Sequence, residues 1–167
     1  MYIAAAGDTE FAASPTELAT IMPTIYNADT VGIRSDLIGR PIESWAELFN
    51  PEFKGKTALV NIPQIGIMDA AMALEAMGEV TYGDKGNMTT EEIDLTINRL
   101  IELKKAGQFR AFWSTFDESV NLMAGGEVVI QSMWSPAVTA VKSRGIQCTY
   151  QGLKEGYRGW GLGMGLM

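Results

Sequence analysis

The chain predicts an α/β fold, a mostly parallel mixed sheet with helices on both faces. Three observations carry that expectation. From Leu59 to Tyr150, short apolar and β-branched runs alternate with helical patterns, the signature of βα units. Within that stretch two helix starts have capping-box spacing, Thr89 with Glu92 and Thr115 with Glu118. The run from Glu127 to Met133 is near-continuously apolar, as in a strand buried on both faces.

The elements follow in order. Residues 1–22 read as a connector with one short helix, because Ser14-Pro15-Thr16-Glu17 is a capping box with proline at the first helical position and Leu18, Ile21 and Met22 supply apolar contacts. Thr24 to Ile33 is rich in Thr, Ile, Tyr and Val and reads as a strand. Ser44 caps a short helix, with Glu47 completing a capping box; Asn50-Pro51 stops it, and Gly55 supplies a left-handed end to the next turn. That aims the chain into Thr57-Ala58-Leu59-Val60, with a strand over Leu59 to Asn61. Pro63-Gln64-Ile65-Gly66 opens a helix to Met77, with Ile67, Ala70, Ala71 and Leu74 on one face and Gly78 at its end. Gly83 to Asn87 is a loop. Beyond it Ile93, Ile97, Leu100 and Ile101 form a helical stripe that ends at Gly107. A strand at Phe109 to Trp113 leads to a helix at Phe116 to Ala124, capped by Thr115. Ser135-Pro136 caps the helix after Met133, which ends at Gly145, and strands at Ile146 to Tyr150 and Trp160 to Met167 complete the chain.

Composition narrows the function classes. With 167 residues, 47% hydrophobic and 20% charged, the chain fits one folded domain of ordinary size. A net charge of −7 argues against nucleic acid or anionic lipid as partner, since both need clustered Lys and Arg. There is no histidine, which removes Ser-His-Asp and Cys-His catalysis and the commonest metal ligand. Cys148 is the single cysteine and reads as a small buried hydrophobe on a strand. Neither a signal peptide nor a membrane-spanning run is visible in the sequence. No cofactor motif occurs: Gly159, Gly161, Gly163 and Gly165 are spaced G-x-G-x-G-x-G, unlike a nucleotide loop, and read as letting a strand pass close to other backbone.

In an open α/β sheet, ligands collect beyond the carboxyl ends of the strands, where helices begin. That rule selects three turns: Asn61-Ile62-Pro63-Gln64, Ser114-Thr115 and Trp134-Ser135. Trp134 is the leading candidate, because an aromatic face holds methylenes by apolar burial and ammonium groups by cation–π attraction; the competing reading is a core tryptophan at a strand end. Thr115 serves equally well as a helix cap. Trp113 and Tyr26 read as packing residues, and Trp45 as the pin that holds its short helix to the sheet. Asp117 and Glu118 suit the first turn of a helix and could also offer a carboxylate to a cation.

The segment Ser44-Trp45-Ala46-Glu47-Leu48-Phe49-Asn50-Pro51-Glu52-Phe53-Lys54-Gly55-Lys56 resembles the SWADLW-x-P-x-Y/F-K-G-K signature of bacterial extracellular solute-binding proteins, in the spermidine/putrescine-binding branch of ABC-transporter receptors. The resemblance runs from about Pro23 to the C-terminus. Phe109-Arg110-Ala111-Phe112-Trp113-Ser114, Met123-Ala124-Gly125-Gly126-Glu127-Val128, Trp134-Ser135 and Lys154-Glu155-Gly156 follow in the family's order. It implies one lobe of a type II periplasmic-binding-protein fold, an excised second lobe over residues 23–167, with residues 1–22 as connector from the inter-lobe region and the first lobe missing. It places ligand contacts at the same three turns, hence Asn61, Gln64, Ser114, Thr115, Trp134 and Ser135, and at a crossover strand where Trp160 falls. The implied partners are a small-molecule ligand, the absent lobe and an ABC permease, in the periplasm. The bare face left by the missing lobe predicts self-association.

This chain departs from the polyamine pattern in charge. Asn61, Ile62, Pro63 and Gln64 stand where polyamine receptors carry acids, and Leu162 and Gly163 stand where an aspartate often follows the crossover tryptophan. An enclosed amine needs opposite charge to offset its desolvation. A less charged metabolite therefore fits as well, with Asn61 and Gln64 as neutral partners. The expected function is a binding module for a small polar or cationic metabolite. A sensing domain of a regulator is the alternative, and an enzyme the weaker one, since only Asp117 and Glu118 sit at strand ends.

Overall fold

The computed structural model describes residues 21–165, and the helix expected at Ser14 to Glu17 lies outside them, as do Leu166 and Met167. The described chain forms two compact units: Asp29–Arg158, and a smaller one that comprises residues 21–28 and 159–165. Among the described residues nine regular elements occur: β1 (Ile21–Ile33), β2 (Thr57–Val60), α1 (Pro63–Ala76), α2 (Thr90–Lys105), β3 (Phe109–Trp113), α3 (Phe116–Ala124), β4 (Ile130–Met133), α4 (Ser135–Ser143) and β5 (Arg158–Gly165), with 3-10 turns at Trp45–Leu48 and Pro51–Phe53.

In the larger unit the strand order is β3-β2-β4-β1. β2 runs parallel to both β3 and β4, with Val60 opposite Trp113 and Ala58 opposite Gln131. β1 closes the sheet antiparallel to β4, pairing Thr30 with Met133 and Ile33 with Ile130. Alternation along β2 splits the core. Leu59 packs with Trp45, Leu48, Phe49 and Leu74 on one face; Ala58 and Val60 pack with Trp113, Met123 and Val138 on the other. Helices therefore cover both faces, as the βα pattern requires.

The signature segment folds as two 3-10 turns, and Gly55 does take the left-handed conformation at φ 71°. Its capping differs from expectation. Ser44 accepts from the Ala46 N–H, but Glu47 turns away to bind Arg40 and Asn50. The reach-back is made instead by Glu155, whose carboxylate takes the Ser44 hydroxyl at 2.6 Å and the Trp45 N–H at 3.0 Å. The Trp45 indole donates to the Gly156 carbonyl, so two motifs 110 residues apart close on each other.

Other boundaries shift for local reasons. β1 starts at Ile21, so Ile21 and Met22 are strand rather than helix. β4 begins only at Ile130, because the Val128 N–H goes to the Leu122 carbonyl at the end of α3. The strand expected at Ile146 to Tyr150 shrinks to one bridge between Thr149 and Ile33, and the Tyr150 hydroxyl sits between the Thr30 N–H and the Met133 carbonyl at the end of the β1–β4 ladder. Cys148 is buried, as expected, but on irregular chain. Ser135 is the first residue of α4, whose N-cap is Trp134, with no side-chain cap.

Along α2 the packed line is Thr96, Leu100 and Leu103, while Ile93, Ile97 and Ile101 remain exposed. Burying Thr96 is tolerable because its hydroxyl donates to the Glu92 carbonyl and meets the Tyr82 hydroxyl at 2.7 Å.

In the smaller unit β1 neighbours β5, and Thr24 donates to the Leu162 carbonyl. Tyr26, expected to pack, is 92% exposed there. Among the described residues of this unit the two strands form a ribbon, which offers no second layer to bury a ring. An alanine Cβ at Gly161 would meet the Ile25 carbonyl at an ordinary 3.7 Å and at Gly159 would meet nothing, so close backbone approach does not explain those two glycines.

Candidate functional site

Three strands end side by side. Val60 pairs with Trp113, and extending the β2–β4 register by two residues sets Val60 beside Met133. The residues that follow, Asn61, Ser114 and Trp134, thus share the carboxyl-end edge of the sheet. The Asn61 N–H donates to the Trp113 carbonyl at 2.7 Å, which carries the pairing one step past the strand. Each chain then turns directly into a helix: α1 from Pro63, α3 from Phe116 and α4 from Ser135.

Trp134 is half-buried, its ring edge-on to Trp113 with centroids 4.8 Å apart and planes at 86°. Trp113 itself is buried and anchored by its indole N–H on the Ser132 carbonyl. One tryptophan is the support and the other keeps part of its ring open at the edge. Asn61 and Gln64 are exposed, and a shallow recess beside Asn61 is lined by Val60, Ile62, Pro63, Gly66, Leu100 and Phe112. α1 starts without a side-chain cap.

Ser114 and Thr115 are also exposed, but α3 satisfies its own start. Glu118 accepts the N–H groups of Ser114 at 2.7 Å and Thr115 at 3.0 Å, and the Thr115 hydroxyl oxygen accepts the Glu118 N–H in return. Those donors, Ser114 first, hold the Glu118 carboxyl below its usual range. Glu118 is thereby committed to the cap. Trp160 lies on β5 in the smaller unit, half-buried.

A buried ionic cluster under this edge escaped the sequence reading. Arg158 donates to Asp69 at 2.6 Å and to Asp29 at 3.1 Å, and the Tyr150 hydroxyl reaches the Met133 carbonyl at 2.9 Å and Asp29 at 3.2 Å. Local patterns could not pair residues 89 and 129 apart. The available signal was Asp69 itself, an acid inside the apolar run from Ile65 to Leu74. Among the described residues, no group of three or more His, Cys, Asp or Glu is placed to hold a metal ion.

Residues 3–166 match the bacterial extracellular solute-binding protein family, and the chain belongs to it. It is a family of binding proteins, not of enzymes. Among curated relatives, the spermidine/putrescine-binding periplasmic protein of Escherichia coli (strain K12) is 28% identical over 141 residues, which cover 83% of this chain and 37% of that protein. The chain thus spans little more than a third of that relative's length. Of solved structures, a spermidine/putrescine ABC transporter substrate-binding protein from Streptococcus pneumoniae strain Canada MDR_19A aligns with a TM-score of 0.67 at 16% identity, over 87% of this chain and 42% of that one. An ABC transporter substrate-binding protein from Bradyrhizobium japonicum USDA 110 aligns at 0.63 with 19% identity, over 79% and 39%. These two likenesses show the fold, an α/β periplasmic-binding-protein architecture.

Proposed function

We propose, with membership of the solute-binding protein family as premise, that this chain is the second lobe of a periplasmic receptor that delivers a small ammonium-bearing metabolite of polyamine type to an ABC permease. The observation that supports it best is the convergence of Asn61, Ser114 and Trp134 on one sheet edge. Trp134 gives the ligand an aromatic face, and Asn61 and Gln64 give it neutral hydrogen-bond partners. Ser114, Thr115 and Ser135 rim the same edge.

One edge is half of a clamp. In the whole receptor the first lobe supplies the other wall, hinge closure buries the ligand, and the permease reads the closed shape. The chain alone therefore binds too weakly to measure. In the smaller unit Met22, Ile25, Leu162 and Met164 are exposed, which favours self-association when the first lobe is missing.

Calorimetry on the full-length receptor that carries this lobe, with putrescine and spermidine as probes, tests the reading. Trp134→Ala weakens binding by about 2- to 30-fold, the range of one cation–π contact, and Trp134→Phe recovers part of it. Binding unchanged in Trp134→Ala, or micromolar affinity in the isolated chain, counts against the proposal.

A further inference from the structure

The ionic cluster holds one more carboxylate than cation. Arg158, Asp29 and Asp69 are 8%, 3% and 1% exposed, and Arg158 is the one cation paired with either acid among the described residues. The groups that face Asp69 are Arg158 at the start of β5, Asp29 on β1 and Ser132 on β4, which bonds its carboxylate. Tyr150 closes the cluster from the segment before β5, against Asp29. Burial pushes the Asp69 carboxyl up to about 6, against the pull of Arg158.

The cluster touches both ends of the candidate edge. The Ser132 hydroxyl oxygen that meets Asp69 also accepts the Val60 N–H at 2.9 Å, one residue before Asn61. Tyr150 holds the carbonyl of Met133, one residue before Trp134. We propose that this surplus buried negative charge makes the edge selective for a cationic solute, with Asp69 as a specificity-determining residue that acts across the Ser132–Val60 step without touching the ligand. The inference rests on the receptor reading above. It supplies the charge that the turn Asn61-Ile62-Pro63-Gln64 lacks.

A purely structural role fits this cluster poorly. Two buried carboxylates that share one cation leave a net charge that destabilises a fold, and asparagine at position 69 would keep an acceptor for Arg158 with one charge fewer. Stability and ligand preference should therefore respond to Asp69→Asn in opposite directions. Because the folded-state carboxyl is raised, its contribution to stability is fully present below the unfolded value and is lost as pH rises through about 6.

Two measurements on Asp69→Asn decide the matter. In thermal unfolding of the ligand-free chain, the variant melts above wild type at pH 7.5, and the difference shrinks as pH falls toward about 4. In calorimetry on the full-length receptor, the variant loses roughly four- to fifteenfold in putrescine affinity, as expected for a unit charge if the ammonium group binds on the order of 10 Å from it at an effective dielectric constant of about 20 to 40, and 1,4-butanediol is unaffected. A variant that melts no higher, or that binds putrescine as tightly as wild type, overturns the inference and leaves the receptor reading standing. A wild type that binds neither putrescine nor spermidine sinks both. If the variant fails to fold, carbon-13 NMR of the Asp69 carboxyl in the wild-type receptor replaces it: saturating putrescine moves the titration to lower pH, and an unmoved midpoint overturns the inference.

Discussion

Replacing Gly66 by alanine sets helix propensity against packing at the root of the candidate edge. An ideal Cβ there falls 2.4 Å from the Val60 carbonyl oxygen and 3.5 Å from its carbon. Alanine in a helix interior is favoured over glycine by about 1 kcal/mol. Overpacking of a tight contact costs about 1–3 kcal/mol, toward the upper end where the obstacle is backbone. Val60 cannot yield easily, since its N–H is bound to Ser132 and the Asn61 N–H to Trp113. Packing therefore wins by about 1–2 kcal/mol, a fall in Tm of roughly 2–8 °C for a chain of this size. Denaturant unfolding followed by the fluorescence of the buried Trp45 and Trp113 measures it. Gly39→Ala is the control: no heavy atom lies within 4 Å of the added Cβ, so it is neutral or stabilising by about 0.4–1 kcal/mol. Gly66→Ala as stable as wild type would refute the reasoning.

Thr96→Val removes the partner of the buried Tyr82 hydroxyl and should cost about 1–3 kcal/mol in denaturant unfolding, whereas Thr96→Ser, which keeps the hydroxyl, should cost less. Glu155→Ala removes both bonds that close the first 3-10 turn and should cost about 1–2 kcal/mol, whereas Glu52→Ala, whose pair with Arg40 is largely exposed, should cost much less. Glu118 has a lowered carboxyl pKa, so its support of α3 is present above about 4.3, the ordinary glutamate value, and is lost as pH falls through the lower folded-state value. Amide exchange at Ser114 and Thr115 should lose protection in that acid range, and Glu118→Gln should already lack it at neutral pH.

What the sequence disclosed was local. The capping boxes at Thr89 and Thr115 formed as spaced, because every atom involved lies within three residues. Gly55, Gly78, Gly107 and Gly145 took the left-handed conformation at the ends where helices or turns had to stop. The position of the edge was legible for the same reason: each strand runs into its helix within a few residues, so Asn61, Ser114 and Trp134 are placed by connection length. Glu47 shows where local reading fails. Its spacing from Ser44 is right for a box, yet Arg40 and Asn50 compete for its carboxylate, and Glu155 arrives from the far end of the chain to serve Ser44.

Charge near the edge follows the same division. An acid within the turn after β2 would have announced a cation site by its neighbours in sequence, and the turn has none. The structure puts its carboxylates one layer lower, on β1 and α1, where only the fold brings Asp29 and Asp69 to Arg158. Burial there changes the strength of the effect as well as its visibility. A rim carboxylate faces water and salt, which screen it within about 10 Å, while a buried one acts through protein of lower effective dielectric. A single surplus charge under Val60 and Met133 can therefore bias the edge toward cations although no acid lines the turn, and the aromatic face of Trp134 favours the same kind of ligand.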